Sequence, residues 1–228
     1  MTLNHRYCRA YLFSFLAILF YCQGLLGVAQ KAPPRQREVE IAALALSNPI
    51  QFTRVMDLGN SYAVPRSNHQ VVTFLDGSPD WIGNVSITIE NHTTKRIIAI
   101  KAMVSVPAWD PDLFHMSYFI YFHEGQLPEH ALHLGDGTPI PEESSMVLDV
   151  IPGGSGTIPF KQAFTKLIAK NRPSTAVPLA SVDRIRVQLD GIFFSDGTEW
   201  AYGTYLKPDA SAPAHYVPIS PEEWKSYK

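Results

Sequence analysis

Four histidines crowd one stretch of this chain. His115, His123, His130 and His133 lie between residues 115 and 136, with Glu124, Glu129 and Asp136 beside them. Imidazole and carboxylate together suit Zn, Cu, Ni or Fe. His130 and His133 are three apart and would share one face of a helical turn. On a strand, His123 and Glu124 would point to opposite faces, so only one of them could join a site. The metalloprotease spacing His-Glu-x-x-His is absent, because Leu127 stands where the second histidine belongs. His123, His130 and His133 are therefore candidate metal ligands. The competing account is a solvated polar loop between two strands.

Other catalytic constellations are weaker. Gly-Gly-Ser-Gly-Thr (153–157) lacks the second glycine of Gly-x-Ser-x-Gly and reads as a turn between strands. No phosphate-cradling Gly-x-x-x-x-Gly-Lys-Ser/Thr occurs. Glu142-Glu143 and Glu222-Glu223 are neighbours in Pro-flanked polar segments, where adjacent side chains diverge. The expectation is a protein that is not an enzyme and needs no cofactor.

Aromatic residues are the other resource: four Trp, ten Tyr and twelve Phe. Trp81 and Trp200 fit a core. Trp109, between Pro107 and Pro111, and Trp224, near the C-terminus, are expected to be exposed and are candidate binding residues for a protein or a sugar ring.

The elements that would position these groups are mostly strands. Gln70–Leu75 closes on Asp76-Gly77-Ser78-Pro79, and Asn84–Glu90 alternates Val85, Ile87 and Ile89 with polar residues, the mark of a half-buried strand. Residues 96–106, 116–122 and 145–151 continue the pattern, and the segment 39–47 is also read as a strand. Phe160, Phe164, Leu167 and Ile168 instead share one helical face, which predicts a short helix over 160–170. Residues 182–194 and 199–206 flank Ser195-Asp196-Gly197, a hairpin whose Asp-Gly supplies the positive φ of a tight turn. Short strands with Gly/Pro/Asn/Asp punctuation predict an all-β fold, an immunoglobulin-like antiparallel β-sandwich with one short helix.

The N-terminus reads as a secretory signal peptide. Arg6 and Arg9 precede an uncharged stretch from Ala10 to Gln30, followed by a small-residue exit at Gly27 and Ala29. An uncleaved anchor is the alternative, because about 20 uncharged residues can just span a bilayer. Both cysteines, Cys8 and Cys22, fall in this leader, so the remainder is expected to rely on packing rather than disulfides. The division expected is 1–29 signal peptide, 30–66 extended segment or linker, 67–218 sandwich and 219–228 tail. A secreted or periplasmic location follows, with no membrane span after leader removal. The balance of 19 basic to 21 acidic residues, with no basic run longer than Lys95-Arg96, argues against a nucleic-acid surface.

The order of several motifs resembles a group of uncharacterised exported bacterial proteins with an immunoglobulin-like or fibronectin-like sandwich. The resemblance is carried by the turn Asn91 to Ile98 and by Phe194, Asp196, Gly197, Thr198, Trp200 and Gly203 of the hairpin. It spans about residues 71–218 and implies fold and bacterial export. Bacterial export in turn makes the sequons at Asn84 and Asn91 a strand start and a turn. The resemblance carries no activity. The histidine-rich stretch 115–136 departs from its pattern. The function expected is a non-catalytic binding module of the envelope or extracellular space, meeting an envelope protein or a glycan. The alternative is a metal-binding protein that uses the loop 115–136.

Overall fold

A computed structural model describes residues 33–42, 48–66, 70–109, 117–122, 148–160, 162–201 and 203–225. Pro34–Lys228 forms one compact unit. It is an all-β sandwich of two packed sheets, as the strand periodicity predicts.

The smaller sheet has the order β3-β2-β5-β8. Its strands are β2 (Ile50–Asp57), β3 (Asn60–Ala63), β5 (Val85–Asn91) and β8 (Ser155–Pro159), and all of its pairings are antiparallel. Strand β5 shows why it forms: Val85, Ile87 and Ile89 are buried, while Ser86, Thr88 and Glu90 are only partly so.

The larger sheet has eight strands, built around the eleven-residue β9 (Arg184–Phe194). One side of β9 pairs along its length with β6 (Ile97–Ser105), which in turn pairs with β7 (Ser117–Phe122). The other side is shared. Strand β1 (Arg35–Ile41) runs parallel to residues 184–187, and β10 (Glu199–Ala201) runs antiparallel to residues 191–193. Strand β4 (Gln70–Asp76) extends the sheet beyond β1, and β11 (Thr204–Asp209) and β12 (Ala212–Pro218) extend it beyond β10. The parallel β1/β9 pair is the exception in an otherwise antiparallel fold. The chain changes sheet six times, from β1 to β2, β3 to β4, β4 to β5, β5 to β6, β7 to β8, and β8 to β9 through helix α1 (Gln162–Lys170). The predicted helix is present, with Leu167 and Ile168 turned towards the core. A second, single-turn helix, α2 (Pro221–Trp224), lies near the C-terminus.

The expected boundaries change at both ends. Part of the stretch read as a lead-in or linker (30–66) supplies β1, β2 and β3. Its charges mislead, since Glu38 and Glu40 lie on the face away from Val39 and Ile41 and pair with Arg184 and Arg186, while Val39 and Ile41 enter the core. At the other end Ile219 is buried and α2 docks Trp224 against the core. Of the strand expected at 145–151, the described part, Leu148–Ile151, makes a single bridge at Val150 to Ile97.

The core between the sheets includes Phe52, Phe74, Trp81, Ile87, Ile89, Ile100, Ile185 and Trp200. Trp81 is fully enclosed. It donates its indole N–H to the Val182 carbonyl at 3.0 Å and meets Phe74 edge-on at 5.7 Å. Asn91, which has no exposed surface, ties the β5–β6 turn to the segment that leads into β8. Its amide donates to the carbonyls of Lys95 and Val150, and its oxygen accepts from the N–H and hydroxyl of Thr93. Asn91→Asp would face a carboxylate oxygen with two carbonyls. Chemical denaturation should register a loss of about 2 kcal/mol or more, since an unmade buried hydrogen bond costs about 1–3 kcal/mol and a charge more. A loss below about 0.5 kcal/mol would contradict this role.

Candidate functional site

Of the sequence-predicted metal ligands, His123, His130 and His133 lie outside the described residues. Among the described residues no group of three or more His, Cys, Asp or Glu converges on a metal position.

The predicted binding residues Trp109 and Trp224 are half-buried rather than exposed. Trp109 packs against the core and donates its indole N–H to the Val177 carbonyl at 3.0 Å. Trp224 stacks on Tyr205 at 4.9 Å, and Tyr205 stacks on Phe194 at 6.2 Å. Burial raises the Tyr205 phenol to about 12. The ring faces that could have met a ligand are in part already used inside the fold.

The hairpin motif is also structural in its geometry. Gly197 takes φ 82° at the turn. Lys95, from the β5–β6 turn, pairs with Asp196 and donates to the Thr198 hydroxyl. Burial pushes the Asp196 carboxyl up, but hydrogen bonds from Lys95 and Thr198 outweigh it and hold the group below its usual value. The two motifs of the resemblance therefore brace one another. Asn91, a formal sequon, is enclosed.

The most perturbed chemistry stands elsewhere, where β2 and β4 end. Asp57, closing β2, is 2 % exposed, and Asp76, closing β4, is 6 % exposed. Asp57 Oδ1 and Asp76 Oδ2 have no hydrogen bond. The other oxygen of Asp76 accepts the Ser78 N–H at 2.6 Å. Burial first, and the Asp76 charge second, push the Asp57 carboxyl up to about 6. Arg37 lies buried on β1, with its guanidinium over the Trp81 ring at 5.4 Å and an ion pair to Asp183 at 2.6 Å. Burial lowers its pKa, against the pull of Asp183. The hairpin beyond Asp57 turns on Leu58 at φ 45° and Gly59 at φ 87°. A leucine in that left-handed position is strained, and it stands 67 % exposed.

The sequence reading does not find these acids, because Asp57 falls in the stretch taken as a linker and Asp76 opens the turn signal Asp-Gly-Ser-Pro. A usable signal was strand parity. Asp57 shares the face of Val55, Asp76 that of Phe74 and Arg37 that of Val39. Chemically, Asp57 holds or releases a proton near neutral pH, yet it is enclosed. The pair acts first on stability.

The chain matches no family model, no curated protein and no solved structure.

The raised Asp57 value sets a sign. The folded state keeps this proton between pH 3.8 and about 6 while the unfolded state releases it. This contribution is therefore complete below pH 4 and is lost as pH rises through 6. Two units correspond to about 3 kcal/mol at most. Denaturation across pH should show Asp57→Asn flattening that decline and unfolding at higher denaturant than wild type at pH 7–8. An Asp57→Asn variant less stable than wild type at pH 8 would contradict this.

Proposed function

We propose that this chain is a non-catalytic binding module, an exported immunoglobulin-like sandwich that meets its partner through the backbone of a sheet edge. Two features of the fold support the immunoglobulin-like description. Strands β2, β5 and β8 face β7, β6, β9 and β10, and the chain crosses between sheets where such a Greek-key sandwich does. The leader-like N-terminus supports export.

The observation that carries the binding reading is the outer edge of β8, which ends the smaller sheet and pairs with no second strand among the described residues. Phe160 donates its N–H to Val85 and Asn91 donates to Gly154, so residues 154, 156, 158 and 160 turn their backbone groups towards β5. Ser155, Thr157 and Pro159 therefore turn theirs away. Those groups carry no hydrogen bond among the described residues, and Ser155 and Thr157 are exposed. No charge interrupts β8; only Pro159 blunts its end. Such an edge accepts an added strand, with main-chain hydrogen bonds supplying the affinity.

Thr157→Pro tests this without disturbing the fold, because the N–H it removes is not used by β5. Crosslinked capture from native cells should recover a partner with wild type and lose it with Thr157→Pro. Equal recovery would contradict edge recognition. The mass of the exported product should lack residues 1–29, and a mass that still includes Met1 would contradict leader cleavage.

A further inference from the structure

We propose that the occupant of the β8 edge is β8 of a second copy of this chain, paired antiparallel about a twofold axis at Thr157. The inference rests on the reading of β8 as the binding edge.

Three features of the strand favour a copy of itself. The first is reciprocity of donors and acceptors. With Thr157 opposite Thr157 of the second copy, each Thr157 N–H meets the other Thr157 carbonyl. Each Ser155 N–H meets the Pro159 carbonyl of the other copy. Four main-chain hydrogen bonds close the joint. Pro159, which lacks an N–H, occupies the one position of this register where a carbonyl alone completes the bond from the facing Ser155. Only the Ser155 carbonyl is left to water.

The second is charge. Residues 151–160 (Ile-Pro-Gly-Gly-Ser-Gly-Thr-Ile-Pro-Phe) contain no charged side chain, so two copies approach along this edge without like-charge contact. A twofold interface places every residue near its own symmetry mate or that of a neighbour, so a single Lys or Glu here would oppose closure.

The third is side-chain fit. Thr157 and Ser155 are exposed on the outer face, and a Thr–Thr pair across an antiparallel joint is favourable. On the core face Ile158 and Gly156 are already covered within each copy, Gly156 by Val150 and Leu148, so the joint is made by the outer face and the main chain. Ile151, 60 % exposed, packs against Gly154 just before the strand and adds apolar surface beside it.

The joint is small. A five-residue edge covers well under the roughly 1,600 Å² of a standard interface. The dimer expected is therefore weak and reversible, forming a continuous eight-stranded sheet from two four-stranded ones.

Sedimentation of the purified protein over about a hundredfold range of concentration tests the inference by mass action. Wild type should move from monomer towards dimer mass as concentration rises. Thr157→Pro should stay monomeric throughout, with an unchanged far-ultraviolet spectrum and melting temperature that exclude misfolding. In a Cys8→Ser, Cys22→Ser background, Thr157→Cys should form a disulfide between copies when oxidised glutathione is added as the electron acceptor. The facing Cα atoms lie about 5.5 Å apart in such a pair, within disulfide reach. Ser155→Cys, which faces Pro159, should form far less.

A wild type that stays monomeric at every concentration overturns the self-pairing. If cellular capture still depends on Thr157, the edge reading survives and its occupant is an extended segment of another protein. A dimer that persists in Thr157→Pro, with no Thr157→Cys disulfide, overturns the inference by placing the contact on another surface. If capture is also unaffected by Thr157→Pro, the edge reading falls with it.

Discussion

The backbone of β9 is the constraint on which the rest of this structure depends. Its eleven residues take β6 on one side and split the other between β1 and β10, so three separate parts of the chain must converge on one strand. A strand paired on both sides and packed beneath a second sheet must be apolar along much of its length. Ile185, Val187, Leu189, Ile192 and Phe194 all lie in the main core. Two register shifts against β6 keep that inward face continuous as the sheet twists. The parallel pairing with β1 is possible because β1 arrives from far away in sequence, which removes the tight-turn requirement of a hairpin. Its charges then become useful. Glu38 and Glu40 stand beside Arg184 and Arg186, while on the same sheet Lys101 reaches Asp190 at 2.9 Å.

Side-chain chemistry in the described residues is spent largely on holding this arrangement. Lys95 and Asp196 tie two turns, Asn91 satisfies four polar groups at once, and Arg37 lies over the Trp81 ring. Asp57 and Asp76 are the exception. They bring two acids into an enclosed place with oxygens that have no partner, which costs stability once both are charged. Among the described residues, the outward backbone groups of β8 are one set left without a partner. That is why the functional account rests on backbone geometry rather than on a constellation of catalytic side chains.

Much of the sandwich was legible in the sequence. Val85-Ser86-Ile87-Thr88-Ile89 alternates cleanly, and the spacing of Leu167 and Ile168 announces the helix. Charged strands were harder to see. Arg35 to Glu38 looks like a charged lead-in until Arg184 is placed beside Glu38, a pairing that joins residues 146 positions apart. The exposed tryptophans were misjudged for a related reason. Flanking prolines around Trp109 suggested a loop, but only the fold brings Val177 within reach of its indole. The β8 edge could not have been read from Ser-Gly-Thr-Ile-Pro alone. Which backbone groups are free depends on the phase of pairing with β5, and one residue of slip would exchange them.

Amide hydrogen exchange, resolved residue by residue in dilute protein, tests that phase most directly. The account predicts fast exchange at Ser155 and Thr157 and slow exchange at Gly156 and Ile158, whose N–H groups face β5. Protection of Ser155 and Thr157 in dilute monomer would mean that the edge is already covered, and would contradict the account at its centre.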